Sequence, residues 1–163
     1  MLSTIFGALG IGANIFIYQQ KSGKKLLVSK LISDILWAAH YFFIGAYSAT
    51  AVAVIGIFRE TVFFNQDKKW AKSRLWLVLF LLCSAVSALV TWRGFISVLP
   101  ATGAVLSVIS FWKNNPCFTR YLAFPISACM LTYDIFCHSH MGIANEILTL
   151  VSAVVGIIRF YKK

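Results

Sequence analysis

Residues 142–161 read GIANEILTLVSAVVGIIRFY, twenty residues in which only Glu146 and Arg159 are charged. That length and apolarity match the ~20 residues an α-helix needs to cross ~30 Å of hydrocarbon. Asn145, Thr149, Ser152, Gly156 and Arg159 follow at spacings of 4, 3, 4 and 3, which puts them on one helical face with Glu146 beside it. A polar or charged group at bilayer depth costs about 3 kcal/mol or more unless it is paired or hydrated. The stripe therefore needs companion helices: it packs against them through small residues and hydrogen bonds, or it lines a path for water and solute.

Working outward, six more apolar runs appear, at about 3–19, 27–45, 47–65, 74–92, 95–112 and 118–137. The chain of 163 residues is 60% hydrophobic and 12% charged. A soluble domain carries roughly 25% charged residues, so this chain has too little polar surface for a water-soluble globule. In lipid the runs must be helices, because only helices or closed barrels satisfy every backbone group, and continuous rather than alternating runs exclude a barrel. The fold class expected is all-α and integral to the membrane, with seven transmembrane helices. No basic segment or small-residue cleavage site marks the first run as a leader, so it is read as a true helix.

The net charge of +10 would suggest nucleic acid on a soluble protein, but here the basic residues sit between the apolar runs. Lys21, Lys24, Lys25, Lys30, Arg59, Lys68, Lys69, Lys72, Arg74, Lys113, Arg120, Arg159, Lys162 and Lys163 fall on one side of a seven-helix topology, and only Arg93 on the other. This segregation predicts a periplasmic N-terminus and a cytoplasmic C-terminus in a bacterial inner membrane. Cys83, Cys117, Cys129 and Cys137 form no CxxC pair and read as packing residues. Cys137, His138 and His140 lack a fourth partner for zinc, and no cofactor or catalytic motif occurs; the expectation is no metal, no cofactor and no enzyme.

The chain repeats itself. Ala53-Val54-Ile55-Gly56-Ile57-Phe58-Arg59 aligns with Ala153-Val154-Val155-Gly156-Ile157-Ile158-Arg159 at an offset of 100. Ala8-Leu9-Gly10 aligns with Ala101-Thr102-Gly103, and Asn14 with Ser107, at an offset of 93, which places about seven extra residues near His138 to Met141. Helices 1–3 thus match helices 5–7, and a single linker helix makes the two triplets parallel repeats. The units expected are 1–65, a connection and linker helix over 66–94, and 95–163.

This 3-1-3 plan is similar to that of the SWEET and PQ-loop transporters, although Gln19-Gln20 ends helix 1 without a preceding proline, while Pro100 and Pro125 lie in helices 5 and 6. Nearly the whole chain more closely resembles the YgjV-type bacterial inner membrane family, through His40-Tyr41-Phe42-Phe43 with Gly45, Leu99-Pro100 with Gly103, Glu146, and Gly156-Ile157-Ile158-Arg159-Phe160. The resemblance implies an inner-membrane location.

Lys30, Asp34, Trp37 and Tyr41 fall within about 60° of one another on helix 2. Asp34, Trp37 and Tyr41, together with Asn14, Ser107, Asn145, Glu146 and Thr149, are the candidate pathway, with Asp34 and Glu146 as the groups for proton coupling if there is any. Gly7, Gly10, Pro100, Gly103, Pro125 and Gly156 are candidate packing and kink positions. Arg59, with Glu60 beside it, and Arg159 are read as cytoplasmic anchors. The function expected is movement of a small polar solute by alternating access between the two triplets. The partners are then the bilayer, that solute and, as an open option, a second copy in a homodimer. The alternative is a non-transporting assembly, sensory or accessory subunit whose polar faces are protein interfaces.

Overall fold

The computed structural model describes residues 2–90, 92 and 94–161; Arg93, Lys162 and Lys163 of the charge count lie outside the described residues. Seven α-helices make up the fold: α1 (Leu2–Tyr18), α2 (Gly23–Phe43), α3 (Tyr47–Phe64), α4 (Arg74–Val90), α5 (Val98–Trp112), α6 (Pro116–Phe136) and α7 (His140–Tyr161), with a short 3-10 turn at Phe95–Ser97 leading into α5. No strand occurs among the described residues. Four stretches are long and apolar enough to cross a membrane: Gly23–Phe43, Tyr47–Phe64, Phe95–Trp112 and His140–Phe160. α1 and α4 are apolar but have 17 residues each. At 1.5 Å per residue they reach ~25 Å, short of ~30 Å of hydrocarbon. α6 has 21 residues but is broken up by Arg120, Ser127 and Asp134.

Neighbour relations order the helices as a closed ring, α1–α2–α3–α5–α6–α7 and back to α1, with α4 outside it against α3 and α5. Polar side chains turn inward. Asn14, Asp34, Arg59, Glu60, Arg120, Asp134, Asn145 and Glu146 are all buried, while Leu9, Phe16, Phe58, Leu75, Leu82 and Ile158 are exposed. That distribution suits a hydrocarbon solvent and would be untenable in water. One apolar cluster fills the end of the ring that carries the basic connections: Ile17, Leu27, Phe63, Val108 and Phe111, with Phe80 of α4 set edge-on to Phe63 at 5.6 Å between centroids. A second cluster, Trp37, Tyr41, Ala49 and Tyr133, lies toward the opposite end.

The turns explain where helices stop. α2 ends in a reversal in which Ile44 N–H donates to His40 O, Gly45 to Phe42 O and Ala46 to Tyr41 O. α6 ends in the same pattern, Cys137 to Tyr133, His138 to Ile135 and Ser139 to Asp134, each 93 residues later. Both are Schellman motifs, which need a left-handed residue after the helix; Gly45 has φ +74° and His138 φ +53°. The next helix then starts alike, Thr50 N–H to Ala46 O and Ile143 N–H to Ser139 O. The offset of 93 therefore continues through this turn, and the seven extra residues expected near His138 to Met141 are not there. α7 has 22 residues against 18 in α3, and its surplus lies at its far end. α6 begins at an Asn115 cap, whose side chain accepts from Cys117 N–H and Phe118 N–H, with Pro116 in the first turn, where its missing N–H costs nothing.

Glycines set the closest approaches. A Cβ on Gly7 would stand 2.8 Å from Met141 Cβ, one on Gly10 3.0 Å from the Trp37 indole, and one on Gly156 2.6 Å from Arg120 Nε and 2.7 Å from Tyr18 O. Gly103 differs from the expectation: its nearest neighbour would be Met130 Cγ at 3.7 Å, ordinary contact. Pro100 is no kink, because α5 starts at Val98 and the proline occupies its first turn. Pro125 lies inside a continuous α6 and is exposed.

His138 pays a left-handed penalty that Gly45 avoids. His138→Gly is expected to stabilise the detergent-purified protein by about 1 kcal/mol and Gly45→Ala to destabilise it by about as much. Thermal melts of the two variants check this.

Candidate functional site

The ring encloses a cavity of about 100 Å³. Asn14, Asp34, Trp37, Tyr41, Ser107, Asn145, Glu146 and Thr149, all eight pathway residues read from the sequence, line it. They come from α1, α2, α5 and α7, and helical periodicity is what turns each of them to one side of its helix. The wall also includes residues that the sequence reading left out of the pathway: Lys30, Arg59, Ser110, Thr119 and Ser127. A signal for the α6 contribution was present, since Thr119, Ala123 and Ser127 stand four apart and all are buried.

An amide network holds α1 to α7. Asn14 Nδ2 donates to Asn145 Oδ1 and to Thr149 Oγ1, both at 2.9 Å, and Asn145 Nδ2 donates to Glu146 Oε1 at 2.9 Å. Toward the basic end, Gln19 Nε2 donates to Ser152 O and Oγ at 3.0 Å, and Ser152 Oγ donates to Ile15 O at 3.0 Å. The α7 stripe of Asn145, Thr149 and Ser152 thus faces the ring interior.

A charge cluster joins α2 to α3. Lys30 pairs with Asp34 one turn on. Arg59 Nη2 lies 3.8 Å from Asp34 Oδ2 and 2.6 Å from Glu60 Oε1, and Arg59 Nε donates to the same Glu60 oxygen at 3.1 Å. Two cations and two anions sum to zero, which is what lets Asp34, Arg59 and Glu60 stay buried beside half-buried Lys30. Arg59 and Glu60 are therefore not the exposed anchor expected from their place near a helix end; they are 3% and 1% exposed. Gly56 admits the cluster, because a Cβ there would overlap the Asp34 carboxylate. The Arg59 guanidinium also sits over the Phe111 ring at 5.1 Å. Arg159 is exposed at the end of α7, as an anchor would be.

Two seams close the ring above and below the cavity. At the basic end Arg120 of α6, 1% exposed, donates from Nε to Tyr18 O and from Nη2 to Gln20 O, both at 2.9 Å. These carbonyls are the orphan acceptors at the C-terminus of α1, where a cation is favoured. At the opposite end Tyr41 OH donates to Asp134 Oδ1 at 2.9 Å, and His40 bridges Ser3 O at 2.8 Å and Ser139 Oγ at 3.0 Å. Gly142 packs directly on the Asp134 carboxylate. Neither seam is legible from local pattern, because each joins residues about 100 positions apart.

Several wall residues keep unmet polar capacity. Trp37 Nε1 and Ser110 Oγ are buried and have no protein partner. A buried polar atom without a partner costs about 1–3 kcal/mol, and both of these residues belong to the cavity wall.

A ring of helices with a polar interior and an apolar exterior is the build of a polytopic membrane protein. The chain belongs to the Imp-YgjV family, bacterial inner membrane protein, whose pattern matches residues 1–163. No curated protein and no solved structure matches it.

Asp34→Asn takes a counter-charge from half-buried Lys30 and from buried Arg59 and is expected to destabilise the fold by about 3 kcal/mol. Adding Lys30→Met removes the orphaned charge and is expected to restore part of that loss. Unfolding in detergent checks both; a double variant as weak as the single one would show that the pairing is not what holds this region.

Proposed function

We propose that this protein carries a small polar solute across the inner membrane by alternating access through the central cavity. The observation that carries the reading is the cavity itself: polar side chains of α1, α2, α5 and α7 converge on it, and some wall atoms lack protein partners. The α7 stripe faces that space and not the lipid, which favours transport over an interface for another protein. No chemical step belongs to the reading; its partners are the bilayer and the solute, with a homodimer left open.

All seven helices are taken as spans, with 1–65 and 95–163 as parallel triplets around the linker α4. The matching Schellman turns at an offset of 93 support this pairing, as does the ring order, in which α1, α2 and α3 exchange with α5, α6 and α7 under a two-fold rotation. The positive-inside count supports a cytoplasmic basic end, with the C-terminus inside and the N-terminus outside. In this frame the Arg120 seam closes the cytoplasmic side and the Tyr41–Asp134 seam the periplasmic side. Access alternates when one seam parts while the other holds.

Vesicles containing the purified protein are expected to take up at least one of glycerol, urea, ethanolamine and glycolate well above lipid leak. Ser107→Trp, which fills the cavity, should lower that flux at least tenfold while the protein still melts cooperatively. Leak-rate movement of every solute, or undiminished flux in the filled variant, overturns transport through this cavity. A reporter fused to the C-terminus should be active only on the cytoplasmic side.

A further inference from the structure

The charges around the cavity do not balance, and the imbalance has a sign. Both bases on the wall are already engaged: Lys30 with Asp34, and Arg59 with Asp34 and Glu60. Those four groups cancel. Glu146 remains. Its carboxylate lines the same cavity, is 7% exposed, and accepts a hydrogen bond from Asn145 Nδ2 at 2.9 Å. Among the described residues it has no ion-pair partner. A buried carboxylate with hydrogen bonds but no counter-charge is destabilised until a proton or another cation reaches it.

The rest of the wall suits such a visitor. Trp37 and Tyr41 place their rings on the cavity at 5.4 Å from one another, and aromatic faces attract cations. Trp37 Nε1 and Ser110 Oγ have hydrogen-bonding capacity to spare for a second polar group. Space limits size. A dry cavity of ~150 Å³ takes benzene with its six heavy atoms, so the cavity of about 100 Å³ here takes a molecule of that size or smaller.

We infer that the cavity binds a small organic monocation, a primary ammonium with one further hydrogen-bonding group two carbons away, and that Glu146 is its counter-ion. This rests on the transport reading for the site's purpose, but binding is measured without transport.

The test uses ethanolamine, its neutral isostere ethylene glycol, and the anion glycolate, titrated into detergent-purified protein at pH 7.5 by calorimetry. Ethanolamine is expected to bind at least tenfold more tightly than either of the others, and Glu146→Gln to weaken ethanolamine binding at least tenfold. Equal binding of the neutral isostere to the unaltered protein overturns the inference, and this comparison needs no variant to fold. Ethanolamine binding that survives Glu146→Gln overturns it as well. The two readings fail separately. Flux of glycerol or urea without ethanolamine binding keeps transport and removes the cation; ethanolamine binding without flux in vesicles keeps the cation site and removes transport.

Discussion

Lipid offers no hydrogen bonds, and the whole arrangement follows from that constraint. Asn14, Asp34, Arg59, Arg120, Asp134, Asn145 and Glu146 are distributed over five helices. No pair of helices can hide all of them, whereas a closed ring can. Asn14 illustrates the point: its amide reaches Asn145 and Thr149 on α7, and so ties the first helix of the chain to the last. The ring closes where sequence separation is greatest because that is where the polar groups of the two ends meet.

Close approach is the second requirement, and glycine supplies it. Gly56 against Asp34, Gly142 against Asp134 and Gly156 against Arg120 each put bare backbone beside a buried charged residue. In each case the neighbouring helix gives the ionised group a confined place that a side chain would fill. Gly10 does the same for the Trp37 indole. Small residues here serve less as a general adhesive between helices than as recesses for particular polar side chains.

What the sequence reveals and what it hides divide along a physical line. The α7 stripe was legible because polarity on a 3.6-residue period marks a face without any knowledge of the neighbours. The same argument found Asp34, Trp37 and Tyr41. Arg59 was misplaced because a basic residue near a helix end normally snorkels to the interface; only the position of Asp34 on the adjacent helix shows that it turns inward. Arg120 was counted as a loop residue for the same reason. The repeat register failed differently. Offsets of 93 and 100 differ by seven residues, which is close to two helical turns, so both present the same face and periodicity cannot separate them. The backbone pattern of the α2–α3 and α6–α7 turns separates them at once, because a turn has no such degeneracy.

The same turns draw attention to α6. Tyr41 of α2 and Asp134 of α6 stand 93 residues apart, the spacing of the two matching turns, and a hydrogen bond joins them. At its other end α6 lends Arg120 to the carbonyls of α1. Both closures of the cavity thus depend on one helix, and that helix carries Pro125 between them, where the backbone N–H bond to Tyr121 O is missing. A helix fixed at both ends and weakened between them can release one end without dragging the other, because bending at the proline absorbs the displacement. α2, by contrast, has no proline and carries the charge cluster that anchors it to α3.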